Sequence, residues 1–228
     1  MAVYSAFGVN GNGATGPASS DAYSGSFVCG IAFEVTSSGY YLNGYYQWRA
    51  DSSQSATAEF CLYQITSATA GSVVASSTVS ISGMTTGAWN YVALPAQVAL
   101  TSGTAYKAVG GWTNNFPDTN SGAGSFVSSY PNGIVNGPLN VYGLPASLSG
   151  TNPIPFPTSY QGSYDTASAD PTLDYPTNVD GSGANFWIDV QIGPAGTNSG
   201  PPLGLQALVQ APVTAVSVSG WRNAAHSR

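Results

Sequence analysis

The strongest constraint on the fold is an alternation of apolar and polar residues in short segments. From Phe27 to Val35 every second side chain is apolar, and Glu34 falls on the opposite face. Similar segments run from Tyr40 to Arg49 and from Asn185 to Ile192. A period of two sends successive side chains to opposite faces of an extended chain, so these segments are predicted to be half-buried β-strands.

Clusters of Gly, Ser and Asn separate the strand-like segments, and no segment keeps a helical period. Residues 73–81 are predicted to form one strand and 126–130 a short one. Regular short strands with turns between them are typical of sandwiches. The predicted fold class is all-β: an antiparallel two-layer β-sandwich, jelly-roll or immunoglobulin-like, with long Pro/Gly-rich loops and an extended C-terminal arm.

Changes in composition along the chain predict four parts. Residues 1–26 are an N-terminal extension, 27–193 the sandwich domain, 194–202 a Gly/Pro linker and 203–228 the C-terminal arm. Charge separates along the same boundaries: residues 1–193 carry ten acidic and two basic side chains, a net −8. The remainder carries no acid and two arginines, a net +2.

The composition excludes several classes of protein. Charged residues are only 6% of the chain and the net charge is −6, which disfavours nucleic acid and anionic membranes as partners. An aromatic content of 12% separates the chain from disordered proteins. No apolar run approaches the roughly 18 residues of a membrane span, so no membrane insertion is expected.

The N-terminal residues have neither the basic nor the apolar region of a secretory signal peptide. The body nevertheless has the Ser-, Thr-, Gly- and Asn-rich composition of an exported protein. We expect a virion protein that is assembled in the host cytoplasm and released outside the cell. A secreted or cell-surface location is the alternative.

Candidate catalytic groups are scarce. The one histidine, His226, stands two residues from the last, so a Ser-His-Asp or Cys-His arrangement is not expected. Glu34 and Glu59 are the only glutamates, and the period places Glu34 on an outward strand face. We therefore expect no enzymatic activity. Whether Cys29 and Cys61 form a disulfide is left open by the sequence, although their spacing fits no metal site.

A calcium-like spacing occurs near the last predicted strand. Asn178, Asp180, Ser182 and Asp189 stand at loop positions one, three, five and twelve, with Gly183 at position six. A hairpin turn before the strand explains the same residues. Calcium is the one cofactor that the sequence leaves open.

An aromatic–amide stripe is the first candidate binding surface. Tyr41, Asn43, Tyr45 and Gln47 alternate along the second strand, opposite Leu42, Tyr46 and Trp48. Tyrosine gives a large contact area at small entropy cost, so an exposed stripe would suit a glycan or a protein. The alternative is that a second sheet or a loop covers it.

The C-terminal arm is the second candidate surface, for contact between subunits. An arm of this kind can add a strand to an exposed sheet edge of a neighbour. Apolar contact, an aromatic anchor and a salt-sensitive attraction would come from Val213, Val216, Val218, Trp221 and Arg222. An unstructured terminus is the alternative.

A likeness to a known family spans about residues 27–192. It is carried, in order, by GIAFEV, GYYLNGYYQW, AEFCLYQI, GSVVASSTV, GAWNYVALPAQVALTSGTAYKAVGGW, FPTSY and NFWIDVQIG. These segments resemble a bacterial β-sandwich domain of secreted surface proteins, the domain of unknown function 4082. The resemblance implies a non-catalytic sandwich and brings no catalytic residue. The insert between Tyr160 and Asn185, and the tail after Gly193, depart from it.

Together these observations predict a non-catalytic structural or adhesion protein. The favoured interpretation is a phage virion component, either a capsid decoration or a minor tail protein. Its expected partners are other virion subunits or copies of itself, with a cell-surface glycan as a further partner. The alternative is a secreted carbohydrate-binding or cell-surface adhesion module.

Overall fold

The computed structural model describes residues 2–7, 13–20, 22–115, 126–143, 154, 161–179 and 184–197. These residues form twelve strands and one helical turn. The elements are β1 Ser26–Val35, β2 Tyr40–Arg49, β3 Ala58–Ser67, β4 Ala70–Val73, β5 Val79–Ile81, β6 Ala88–Ala99, β7 Ala105–Thr113, α1 Phe126–Ser129, β8 Ile134–Asn136, β9 Leu139–Val141, β10 Ser163–Asp165, β11 Asn178–Val179 and β12 Ile188–Pro194.

Two antiparallel sheets pack against each other. The large sheet has the order β11-β10-β1-β7-β3-β4, with β5 also on β3, β9 also on β1, and β8 on β9. The small sheet has the order β12-β2-β6. The predicted all-β sandwich is confirmed. None of the described helices is long and apolar enough to cross a membrane.

The core between the sheets contains the strand face predicted from the period of two. Phe27, Cys29, Ile31, Phe33 and Val35 are all buried there. Across the core, β2 and β12 contribute apolar side chains from the small sheet. The period of two is reliable at β1 because the strand pairs with β7 over nine residues without a register shift.

The outer face of the large sheet is buried as well, which makes β1 more buried than predicted. Residues 166–177 of the Pro-rich insert, which follow β10, cover Val28 on this face through Tyr175, and Ala32 packs with Tyr142 and Ile154. Gln161 is the main anchor of this outer layer, because its amide bonds the N–H and C=O of Ala32 and the Tyr142 carbonyl. A Cβ at Gly111 would clash with the Ala169 carbonyl oxygen, so glycine permits the close approach.

Residues 4–7 of the predicted N-terminal extension pack on the sandwich. Tyr4 exchanges two backbone hydrogen bonds of 2.9 Å with Ile192 on the edge of β12. The buried Asp189 carboxylate then accepts the N–H groups of Ala6 at 2.9 Å and Phe7 at 2.6 Å. The first residues of the predicted linker, 194–197, also pack on the sandwich, because β12 continues to Pro194 and Thr197 is buried.

Two predicted strands differ from the structure. Residues 73–81 form two short strands instead of one, because Ser76 has a positive φ of 63° and the buried Ser77 hydroxyl bonds the Val74 carbonyl. These features turn the chain between β4 and β5. Residues 126–130 begin with the helical turn α1, in which the Tyr130 N–H bonds the Phe126 carbonyl.

The two cysteines lie on opposite faces of the large sheet. Cys29 points into the core between the sheets, whereas Cys61 lies under the outer layer, where its thiol donates to the Pro171 carbonyl at 3.0 Å. They do not form a disulfide with each other, because the bond cannot pass through the sheet.

We therefore predict two reduced thiols in the native protein. Thiol titration in denaturant should give two groups per chain, and the native protein should react slowly because both side chains are buried. Recovery of fewer than two thiols from freshly purified protein would contradict this arrangement.

Replacing Asp189 with Ala should destabilise the protein by about 3 kcal/mol, because it removes the acceptor of two buried N–H groups. Urea denaturation of the wild type and the variant measures this change. Asp165→Ala is the matched control: this half-buried carboxylate accepts the N–H of the adjacent, exposed Thr166. The control should cost less than about 0.5 kcal/mol. Equal losses would contradict a special role for Asp189.

Candidate functional site

The aromatic–amide stripe is not an exposed surface. The structure leaves Tyr41 half-buried and buries Asn43, Tyr45 and Gln47. The cause is a bulge in β2: Leu42 pairs with Ile192 and Gly44 with Gln191, which leaves Asn43 as an extra residue. The bulge shifts the phase of the strand, so Tyr45 joins Leu42 in the core.

Each buried residue of the stripe has a structural role. The Tyr45 hydroxyl donates to the Ser77 carbonyl at 2.8 Å, and its ring stacks on Phe60. Burial raises the Tyr45 pKa well above its usual value. The Gln47 amide donates to the Trp48 carbonyl at 2.9 Å, and the Asn43 oxygen accepts from Gln97 at 2.6 Å. Burial removes all three side chains from the surface, and of the Gln47 amide only the Nε2 has a hydrogen-bond partner among the described residues.

The calcium-like residues are only partly visible. Asn178 is exposed on β11, and Asp180 and Ser182 lie outside the described residues. Asp189 is buried in the sandwich, where its carboxylate binds the N-terminal backbone. Within the described ranges no group of three or more His, Cys, Asp or Glu side chains is placed to hold a metal ion. The calcium site stays a prediction.

The arm residues Val213, Val216, Val218, Trp221 and Arg222 also lie outside the described residues.

Lys107 is a buried amine that the sequence analysis did not single out. Its Nζ donates to the Ser163 hydroxyl at 2.9 Å and the Pro176 carbonyl at 3.0 Å, and lies 4.4 Å from the centre of the Tyr175 ring. Burial lowers its pKa to about 7. All three contacts are to neutral groups, so Lys107 anchors the outer layer. The sequence signal that could have predicted its burial is its position between small and apolar residues in AYKAVGG.

A groove of about 390 Å³ opens on the outer face of the large sheet. Its walls are residues 57–59 of the β3 end, 80–82 beside β5 and 111–113 of β7, with Ala169 of the outer layer at one side. Hydroxyl groups of Thr57, Ser80, Ser82 and Thr113 line it. It is the best candidate site in the described part of the chain.

Glu59 is the acidic side chain of this groove. It is half-buried on β3, and no hydrogen-bond donor reaches its carboxylate from the described residues. Burial, and to a smaller extent the nearby Asp170 carboxylate, raise its pKa above 4.5. Asp170 itself accepts the N–H and hydroxyl of Thr172. The groove therefore presents an uncompensated negative charge.

Glu34, the other glutamate, is compensated. Its carboxylate accepts from Asn140 at 2.7 Å. The sequence analysis placed Glu34 correctly on the face opposite the core. It did not predict that Glu59 lies in a groove, because the outer layer forms one side of that groove.

Comparison with known proteins gives no relative: no family model, no curated protein and no solved structure matches the chain. The resemblance to domain 4082 stays a prediction.

The buried amine of Lys107 should give stability a distinctive pH dependence. The unfolded chain holds this proton with a pKa near 10.5 and the folded chain with a pKa of about 7. Folding therefore becomes more favourable as pH rises through this interval. The wild type should gain about 1.5 kcal/mol over Lys107→Met between pH 7 and pH 8.5.

Urea denaturation of both proteins at several pH values measures this difference. Because both proteins keep Cys29 and Cys61, ionisation of the unfolded thiols cancels in the comparison. A difference that stays constant with pH would show that Lys107 keeps an ordinary pKa.

Proposed function

We propose that the protein is a non-catalytic structural subunit of a phage particle, a capsid decoration or minor tail protein. It acts through contacts between its acidic sandwich domain and other subunits. Its C-terminal arm makes those contacts. The observation that carries the proposal is the separation of charge between a body of −8 and a tail of +2.

The chemistry of the described interior supports a structural role. Asp189, Gln161, Lys107 and Gln47 are the buried groups that would attract attention as catalytic or binding residues. Each of them is hydrogen-bonded to backbone groups instead. Side chains bonded in this way stabilise the fold, and of their polar atoms the Gln47 Oε1 alone lacks a partner among the described residues.

The free thiols support folding in a reducing compartment. Cys29 and Cys61 are both buried and unlinked, so the sandwich does not depend on an oxidising environment. This agrees with a subunit that folds in the host cytoplasm before release. The carbohydrate-binding alternative loses its main support, because the stripe on which it rested is buried.

Deletion of residues 203–228 tests the proposal. The full chain should self-associate at moderate concentration, with a light-scattering mass above the 23.2 kDa of one chain. High salt should weaken this association, because the attraction is between opposite charges at a surface. The deletion variant should remain a monomer.

Particle incorporation separates a virion subunit from other self-associating proteins. Particles purified on a density gradient should contain the full chain, as measured by peptide mass spectrometry, and should lack the deletion variant. A chain found only in the soluble fractions, with association unchanged by the deletion, would refute the proposal.

A further inference from the structure

We propose that the Glu59 groove is the receiving site for Arg222 of the C-terminal arm of a second copy. This inference rests on the proposed function and names the surface that the arm would use. Three observations carry it: the Glu59 carboxylate without a described hydrogen-bond donor, the engagement of Arg49 and Lys107 elsewhere in the described fold, and the position of the groove in the sandwich.

The first observation is that Glu59 lacks a counter-charge. A half-buried carboxylate loses part of its hydration, and here no described donor replaces it. Asp170 adds repulsion. A cation that enters the groove offsets both the lost hydration of Glu59 and the repulsion from Asp170. The groove is therefore electrostatically complementary to a basic side chain.

The second observation identifies which basic side chain is available. The chain has four lysines and arginines, which are Arg49, Lys107, Arg222 and Arg228, and one histidine, His226. The Arg49 guanidinium bonds the Gln54 and Met84 carbonyls, and Lys107 is buried under the outer layer. The two arginines of the arm are the remaining candidates, and Arg222 directly follows the predicted anchor Trp221.

The groove also suits the shape of a guanidinium. Five N–H donors require several acceptors around a planar group. Ser80, Ser82 and Thr113, whose hydroxyls can accept hydrogen bonds, line the groove together with Glu59. In the described part of the chain β5 pairs with β3 alone, so its other edge offers backbone groups to an added strand.

The third observation concerns the two ends of the sandwich. The described chain ends at Thr197, next to Pro194, which pairs with Tyr40 at one end. Glu59 and Gly111 lie near the other end, where Thr113 pairs with Ser26. The two ends are about 25 to 30 Å apart along β7. A head-to-tail arrangement of copies therefore places the Thr197 end of one sandwich beside the groove end of the next.

Charge reversal in the full chain tests the pairing. Glu59→Arg and Arg222→Glu should each weaken self-association about tenfold or more in sedimentation velocity, because each places like charges together. A mixture of the two variants should regain wild-type association. In the mixture, the arm of the first keeps Arg222 and the groove of the second keeps Glu59. Docking of the arm on its own chain predicts no recovery on mixing and would overturn the proposal.

Two charge-neutralising variants, Glu59→Gln and Glu34→Gln, separate a loss of the arm contact from misfolding of the charge-reversal variants. Glu59→Gln should weaken association several-fold while leaving the thermal stability of the dilute monomer equal or higher, because it removes an uncompensated charge. Glu34→Gln is the matched control, on the same sheet at the opposite end, and should leave association unchanged. If deletion of the arm abolishes association but Glu59→Gln does not weaken it, the arm docks elsewhere and this inference fails while the proposed function stands.

Discussion

The structure depends on buried polar side chains that satisfy the backbone of irregular segments. Paired strands satisfy each other's backbone N–H and C=O groups. Residues 2–7 and most of residues 161–177 pack against the sheets but form few strand pairs: the Tyr4–Ile192 bridge and the short strand β10. Asp189 accepts the N–H groups of the first segment, and Lys107 and Gln161 hold the second. Without these contacts, buried backbone groups would be left unpaired at a cost of about 1–3 kcal/mol each.

The sequence predicts those strands in which apolar and polar residues alternate regularly. The alternation at β1 correctly identified its core face, and the alternation before residue 192 located β12. Prediction failed where one residue breaks the period. The extra residue Asn43 reverses the phase of β2, and the one local signal, Gly44 inside the strand, does not specify which neighbouring residue is extra.

The outer layer on the large sheet is the second feature that the sequence did not predict. Pro-rich residues 161–177 have no period, so nothing local shows that they cover a sheet. Their presence changes the environment of Lys107 and Glu59, the former buried completely and the latter half-buried in a groove. The candidate site could not be found from the sequence for this reason, whereas the positive charge of residues 194–228 could.

Hydrogen exchange measured by NMR tests the central claim, that these irregular segments are integral parts of the core held by buried polar side chains. The N–H groups of Ala6 and Phe7 donate to the Asp189 carboxylate, and the N–H of Ala32 in β1 donates to the Gln161 side chain, so none of the three depends on the backbone of a neighbouring strand. We expect them to exchange as slowly as the amides of the β1–β7 ladder. Exchange at the rate of exposed loops would contradict the account.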